Sequence, residues 1–373
     1  MDVNMPLPLL GGLAPAVFMR RHWQKKPLLV RQAWPGVQPP LARAALFDLA
    51  GRDDVESRLV EQRAKGWHVR PGPLPRRALP PLSRPGWTLL VQGLDLHVAA
   101  AHDMLRCFRF VPDARLDDLM VSWASAGGGV GPHVDSYDVF LLQVQGRRRW
   151  RVGRTPDAAF VEGAPLKRLR HFEPTQEWLL EAGDMLYLPP GWGHDGVAEG
   201  GDCMTCSIGF RAPDALPLAR EVMLRLAEGD EGEAQSQRLY RDPLQPATAT
   251  PAAIPAPLHA FARDALARLL ANPQALRLAL GEILTEPKPN VWFESGLPQP
   301  GTAVRLAAAS RMLYDARHVF INGESFVASG RDARLMRRLA DTRGLSAADC
   351  TRLSPEAARL LGDWRAAGWL HAA

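Results

Sequence analysis

Between Asp117 and Phe210 the sequence breaks into short apolar or alternating runs, DLMVSWA, DVFLLQVQ, RRRWRV, EWLLE, MLYLP and CMTCSIGF, each closed by a turn-forming stretch. Such runs read as strands, because successive side chains on a strand point to opposite faces. Many short strands at this spacing close a sheet on itself or fold it double, so a jelly roll or barrel is expected here.

The flanks follow other rules. From Met1 to about Trp87 the text is irregular, and its proline-rich stretches, Trp34 to Pro40 and Pro71 to Pro85, exclude helix interiors and central strands. Loops wrapped on the scaffold are expected there. After Pro213 the period becomes helical in PLAREVMLRLAE, LHAFARDALARLLA and PQALRLALGEIL, with a Pro/Ala/Thr segment from Pro243 to Pro257 between the first two. Such apolar-faced helices can pack on their own domain or on a second copy of the chain. From about Glu286 the signals are HVFI, Asn322-Gly323 and ESFV, a two-residue hairpin, and Ser354-Pro355, a helix cap and first-turn proline before EAARLLGDWRAAGWL. Helices with one hairpin read as winged-helix-like. The expected division is 1–212 for the barrel, 213–285 for a helical region and 286–373 for the winged-helix-like domain.

Composition narrows the class. With 373 residues, 46% apolar and 23% charged, the chain is neither disordered nor a single small module. No apolar run approaches the ~18 residues of a spanning helix. The opening MDVNMPLPLL lacks the basic start and cleavage site of a secretory signal, so a cytoplasmic protein without a membrane partner is expected. Cys107, Cys203, Cys206 and Cys350 are scattered, which fits reduced thiols. The net charge of +5 weakly favours acidic partners.

The chemistry concentrates in two segments. In GGGVGPHVDSYDVF, His133 and Asp135 stand two apart at a strand start, so an imidazole and a carboxylate project from one face and can converge on an ion. His171 and Glu173, in HFEPT, share that spacing. The choice rests on GDMLYLPPGWGH: a Gly183-Asp184 turn, a four-residue apolar strand, Pro189-Pro190-Gly191, then His194, the pattern of the second cupin motif, in which a strand delivers a histidine into a barrel. His133 lies 61 positions before His194, room for the intervening strands; His171 lies only 23 before it. His171 and Glu173 are therefore read as surface loop residues.

Two histidines and one carboxylate suit non-haem Fe(II), because three positions stay open for substrates. Zinc is physically possible, but a four-coordinate structural site needs a fourth side chain. Cys203 and Cys206 are the candidate pair, and mid-strand residues three apart face opposite ways, so they are read as strand packing. In the run from Arg147 to Val152, alternation puts Arg148 with Trp150 and Val152, and Arg147, Arg149 and Arg151 on the other side. The apolar pair marks the inward face. An inward guanidinium needs an anion, either an internal Asp or the carboxylate of a dicarboxylate that chelates the metal at its other end.

PHVDSYDVFLLQVQGRRRWRVG, LPPGWGHDG and SIGFRAP, preceded by HWQKKPLLVRQAW, closely resemble the bacterial Jumonji-C-type ribosomal oxygenases, in particular the arginine hydroxylases of a large-subunit ribosomal protein. The likeness runs from about His22 to Pro213, and the order that follows agrees with that family's three-part architecture. The resemblance implies a mixed β and α fold: a double-stranded β-helix (jelly-roll, cupin/Jumonji-C), a helical dimerisation region and a C-terminal winged-helix-like domain. It makes His133, Asp135 and His194 the catalytic metal ligands, with Fe(II) as metal and 2-oxoglutarate and dioxygen as cosubstrates. Arg148 becomes the partner of the far carboxylate of 2-oxoglutarate, with Ser122, Met120, Thr205 and Ser207 beside the cosubstrate. Asp118 and Tyr137 fall to the substrate, Asp118 as the carboxylate that pairs with an arginine. The plainer alternatives are a solvated strand start for Asp118, with Asp117 facing the other way, core packing for Tyr137, and strand packing for Thr205 and Ser207. Trp192 and Asp195, beside His194, depart from the family's expected pattern and put the pocket rim in question.

The implied reaction hydroxylates the β-carbon of an arginine in the sixteenth L-series protein of the large ribosomal subunit, while 2-oxoglutarate is converted to succinate and carbon dioxide. Three other readings compete. A histidine hydroxylase of the same fold differs only in target. A metal cupin isomerase or epimerase shares the barrel but leaves an inward Arg148 unexplained. A DNA-binding regulator would want a compact basic stripe, whereas Asp332, Asp341, Asp349 and Asp363 interrupt the arginines of the terminal helices, so specific DNA binding is not expected. The expected partners are a ribosomal protein and a second copy of the chain.

Overall fold

A computed structural model describes residues 2–64, 66–164, 166–229, 239–296 and 302–373. The chain divides into two compact units, Met1–Ala212 and Pro213–Ala373.

In the first unit, strands β1 (Leu28–Val30), β2 (Ser57–Arg63), β3 (Gly66–Pro71), β4 (Trp87–Val91), β5 (Leu116–Ala124), β6 (His133–Val134), β7 (Val139–Arg154), β8 (Gln176–Leu180), β9 (Met185–Leu188) and β10 (Trp192–Phe210) join in one sheet. Its order is β1-β9-β7-β10-β5-β4-β2-β3, with β6 on β10 and β8 on β7, all antiparallel. Alternation decides what each face carries. Leu119, Val121 and Trp123 of β5 and Met204, Cys206, Ile208 and Phe210 of β10 enter the main core. There they meet Phe18 of α1 (Pro15–Arg21), Leu46 and Phe47 of α2 (Arg43–Leu49) and Met104 of α3 (Ala99–Arg106). The intervening residues, Asp118, Met120 and Ser122 opposite Gly209, Ser207 and Thr205, turn to the other face and line a cavity.

Two runs that read as separate strands fuse across Gly146. Its φ is +68°, and an added Cβ would lie 2.9 Å from the Asp202 carbonyl oxygen, so only glycine suits the bend. Opposite it the register of β7 and β10 shifts between Glu199 and Met204. This irregularity moves the cavity-facing positions of β7 from Val139 and Leu141 to Arg148 and Trp150, as a bulge does when it inserts a residue.

The segment before Trp87 departs from expectation. It is not only wrapping loop, since β2, β3 and β4 build one end of the sheet. The prolines lie where the earlier argument allows them, at the end of β3, in the connection to β4 and in the loop after β1. What they conceal is a strand as polar as SRLVEQR at the sheet end, where alternation is weak.

The second unit opens with helices α4 (Ala215–Gly229), α5 (Ala256–Leu270) and α6 (Pro273–Thr285). Val222 and Leu226 of α4 pack on Ala279 and Ile283 of α6. Among the described residues two three-stranded sheets follow: β11 (Val304–Leu306) between β15 (Gly344–Leu345) and β16 (Leu370–Ala372), and β13 (His318–Ile321) between β12 (Met312–Tyr314) and β14 (Glu324–Val327). Helices α7 (Gly330–Thr342), α8 (Ala347–Cys350) and α9 (Pro355–Ala366) complete the unit. Asn322 and Gly323 turn the β13–β14 hairpin at positive φ, and the Ser354 hydroxyl accepts from the Ala357 N–H at the start of α9.

Candidate metal centre and its cavity

β6 pairs with β10 so that His133 stands directly opposite His194. Their rings lie 4.1 Å apart, centroid to centroid. Asp135 follows on the next turn, where its carbonyl accepts from the Gly191 N–H. Its carboxylate reaches 3.5 Å from His194 Nε2 and 4.0 Å from His133 Nε2. One ligand atom from each of the three residues falls within 4.8 Å of the others, an arrangement able to surround one ion. Just beyond, Asp138 is fully buried, accepting from the Tyr187 hydroxyl at 2.6 Å and from Gln24 Nε2 at 3.1 Å, which fixes the chain that leaves Asp135.

The second ring nitrogens are tied down. His133 Nδ1 is 2.9 Å from the Gly131 carbonyl and His194 Nδ1 is 3.0 Å from the Trp192 carbonyl. A carbonyl only accepts, so each Nδ1 carries a proton and each Nε2 is turned toward the centre, the usual orientation of histidine for a metal. Burial, then the neighbouring His133, lower the His194 pKa to about 4 against the opposing pull of Asp135. His194 is thus neutral at pH 7 and has no proton to lose on ligation.

The three residues line a cavity of about 300 Å³ that also takes in Arg148, Asp118, Met120, Ser122, Tyr137, Thr205 and Ser207. Arg148 is buried, and its Nε and Nη2 meet no acceptor; the ring of Trp150 lies 5.8 Å from the guanidinium carbon. Among the described residues no carboxylate pairs with Arg148, so the internal-Asp alternative finds no support there. Thr205 donates to Gln143 Oε1 at 2.8 Å. Asp118 is buried, and its Oδ2 accepts from the Gly93 N–H at 3.0 Å, which removes the solvated strand start as its reading. Tyr137 is 40% exposed at the cavity, and burial of its ring, followed by the charges of Asp135 and Asp118, raises its hydroxyl pKa. Asp117, expected to face away, pairs with Arg211 at 3.4 Å yet also borders the cavity, because it sits where β5 begins and the alternation is not yet enforced. His171 and Glu173 are exposed and stand apart from the centre, as their spacing implied.

A JmjC domain matches residues 103–218 and a ROXA-like winged helix matches residues 268–371. The ribosomal protein uL16 3-hydroxylase of Escherichia coli (strain K12) is 33% identical over 330 residues, covering 85% of this chain and 86% of that protein. The chain belongs to the JmjC-type ribosomal oxygenases. A probable ribosomal oxygenase of Haemophilus influenzae is 38% identical over 207 residues, 54% of this chain and 50% of that protein. Among solved structures, Escherichia coli YcfD superposes with a TM-score of 0.84 at 30% identity, covering 95% of this chain and 97% of that one. YcfD in complex with cobalt and 2-oxoglutarate superposes at 0.80 and 29% identity, with the same coverage. In this ribosomal oxygenase the cavity wall also includes Arg58, Leu90, Gln92, Leu166 and Lys167, which sequence reasoning passed over. Register could have revealed Leu90 and Arg58, which stand in line with Ser122 across β4 and β2, had those strands been recognised. Lys167 lies on a long connection with no periodic signal.

Proposed function

We propose that this ribosomal oxygenase is an Fe(II)- and 2-oxoglutarate-dependent hydroxylase acting on the β-carbon of an arginine in uL16. One juxtaposition carries the reading: a two-histidine, one-carboxylate cluster and an inward guanidinium with unanswered N–H groups line the same cavity. The donor set fits ferrous iron, with both imidazoles oriented by backbone carbonyls at Nδ1 and a hard carboxylate oxygen beside their Nε2 atoms. Iron bound by His133, Asp135 and His194 supplies the dioxygen-dependent oxidation that couples 2-oxoglutarate breakdown to insertion of one oxygen into a C–H bond.

The chain's own work is placement. Arg148 receives the far carboxylate of 2-oxoglutarate through its free Nε and Nη2, a charge-assisted pair in a site that Val139, Leu141 and Trp150 keep apolar. Met120, Ser122, Thr205 and Ser207 form the wall beside it. Asp118 and Tyr137 receive the substrate guanidinium, and the buried carboxylate of Asp118 is already held in orientation by the Gly93 N–H. The unit 213–285 pairs two copies through leucines that α4 and α5 leave exposed, Leu216, Leu224, Leu266 and Leu270; a concentration-independent monomer by light scattering would remove this part. The domain 286–373 serves architecture rather than base readout. No helix among the described residues is long and apolar enough to cross a membrane, and we place the protein in the cytoplasm.

The test is mass analysis of uL16 after incubation with the enzyme, Fe(II) and 2-oxoglutarate. One added oxygen on an arginine is expected. Oxygen on a histidine would move the chain to the histidine hydroxylases of the same fold, and absence of succinate formation would return it to the metal cupins of other activity.

A further inference from the structure

The segment from Ser57 to Val91 holds seven Lys and Arg and one acid, while the whole chain sums to only +5. That one acid, Glu61 on β2, is buried, with three arginines gathered on it: Arg63 at 2.7 Å, Arg84 at 3.2 Å and Arg70 at 3.9 Å. One guanidinium suffices to neutralise a carboxylate, yet all three are held here with side chains 42 to 44% exposed. The cluster therefore turns surplus positive charge outward. It extends along the sheet end, because Arg70 also donates to the Ala78 carbonyl and so ties β3 to the turn that carries Arg77. Arg77 is exposed and forms no ion pair among the described residues.

We propose that this end of the sheet binds the phosphodiester backbone of a nucleic acid. Convergent, solvent-reachable arginines supply planar donors matched to phosphate oxygens. A protein partner is less suited to the same surface. Among the described residues from Ser57 to Val91, Leu82 is the one large apolar side chain left well exposed, whereas protein interfaces centre on buried apolar and aromatic anchors. β2 also sends Arg58 into the cavity wall from its other face, so the arginine cluster and the cavity lie on opposite faces of the same strand. The inference concerns binding alone and does not depend on the hydroxylase reading.

The test is fluorescence anisotropy of the full chain with labelled oligouridylate and oligothymidylate of about 20 nucleotides, in a salt series. With four phosphate contacts the affinity should fall with a log–log slope of about −3, from roughly −0.7 per contact on single strands. Arg70→Gln with Arg77→Gln should reduce that slope by about 1.4 and weaken binding several-fold at low salt. This pair leaves Arg63 and Arg84 on Glu61, and an unchanged melting curve would show that the variant folds. Arg220→Gln with Arg277→Gln, exposed arginines of the second unit, should change neither slope nor affinity. Equal binding of the two oligonucleotides assigns the site to the backbone alone; tighter RNA binding adds contacts to the ribose hydroxyl. Absent binding at low salt, an equal loss in the second-unit variant, a slope untouched by the first, or equal binding of a polyglutamate peptide would each overturn the proposal.

Discussion

Arg148 in the barrel and Arg365 in the C-terminal unit are almost equally buried, 4 and 5% exposed, and their surroundings differ in kind. Arg365, on α9, gives Nη1 to the Thr302 hydroxyl at 2.9 Å, while its backbone carbonyl accepts from the Gly296 N–H. Arg148, on β7, has Nε and Nη2 buried with no acceptor among the described residues. A guanidinium left so costs several kcal/mol, and a fold keeps it where an anion from outside the chain completes the arrangement. Arg365 is answered within the scaffold; Arg148, on the function proposed above, is answered by an anion from outside the chain.

The largest effect concerns what that site is for. Replacing His194 by Ala removes one of three ligands, and the loss should exceed the ~10- to 100-fold cost of disturbing an outer-shell partner. Succinate formation should fall to background and bound metal, measured by elemental analysis, should drop with it. Retained turnover would mean that Arg148 awaits an anion unrelated to a metal. Next, Arg148→Ala should raise the KM for 2-oxoglutarate by about 30-fold or more, the cost of truncating one member of a buried charge pair. An unchanged KM would end the assignment.

Stability sharpens the contrast by reversing it. In the absence of 2-oxoglutarate, Arg148→Met should leave the melting temperature unchanged or raise it, because no carboxylate among the described residues is left stranded by loss of the guanidinium. Arg365→Met should lower stability by about 0.5–1.5 kcal/mol, since the hydrogen bond of the buried guanidinium to the half-buried Thr302 hydroxyl is lost. Equal losses in both variants would place the two arginines in one class.

The centre was legible because its residues obey local geometry. His133 and Asp135 share a face, His194 stands at a fixed offset from its turn, and Arg148 follows from alternation within six residues. Each inference needed only the strand it sat on, except the choice of His133 over His171, which rested on the distance along the chain to His194. Residues whose position depends on a neighbouring strand were not legible: Arg58 and Leu90 reach the cavity through the register of β2 and β4 against β5. β2 hid behind its polar text and the prolines that follow β3, whereas the apolar run WTLLV of β4 was readable and was passed over. The bend at Gly146 was equally silent, because the register shift that requires it lies on β10, where the carbonyl of Asp202 comes close. In the second unit, the hairpin and the α9 cap were readable from Asn322-Gly323 and Ser354-Pro355, whereas the strands β11, β15 and β16 are too short to show a period.

A third arginine completes the series at its weak end. Arg31 is 53% exposed and donates to Asp184 at 2.6 Å, in the turn that launches β9 toward His194. Burial raises the Asp184 carboxyl, but the N–H groups of Gln32 and Glu181 together with Arg31 outweigh it and hold the pKa below 3.8. A carboxyl depressed in the folded state stabilises above its unfolded pKa, and that contribution disappears as pH falls through the lower folded value. Asp184→Asn should therefore narrow the stability difference between neutral and strongly acidic solution, by about 1–2 kcal/mol in chemical unfolding. Arg31→Gln should change neutral stability by less than about 1 kcal/mol, because an exposed partner is screened while the two N–H donors remain. If Arg31→Gln matched Asp184→Asn, the turn would rest on the ion pair rather than on its backbone donors, and exposure would no longer rank these arginines.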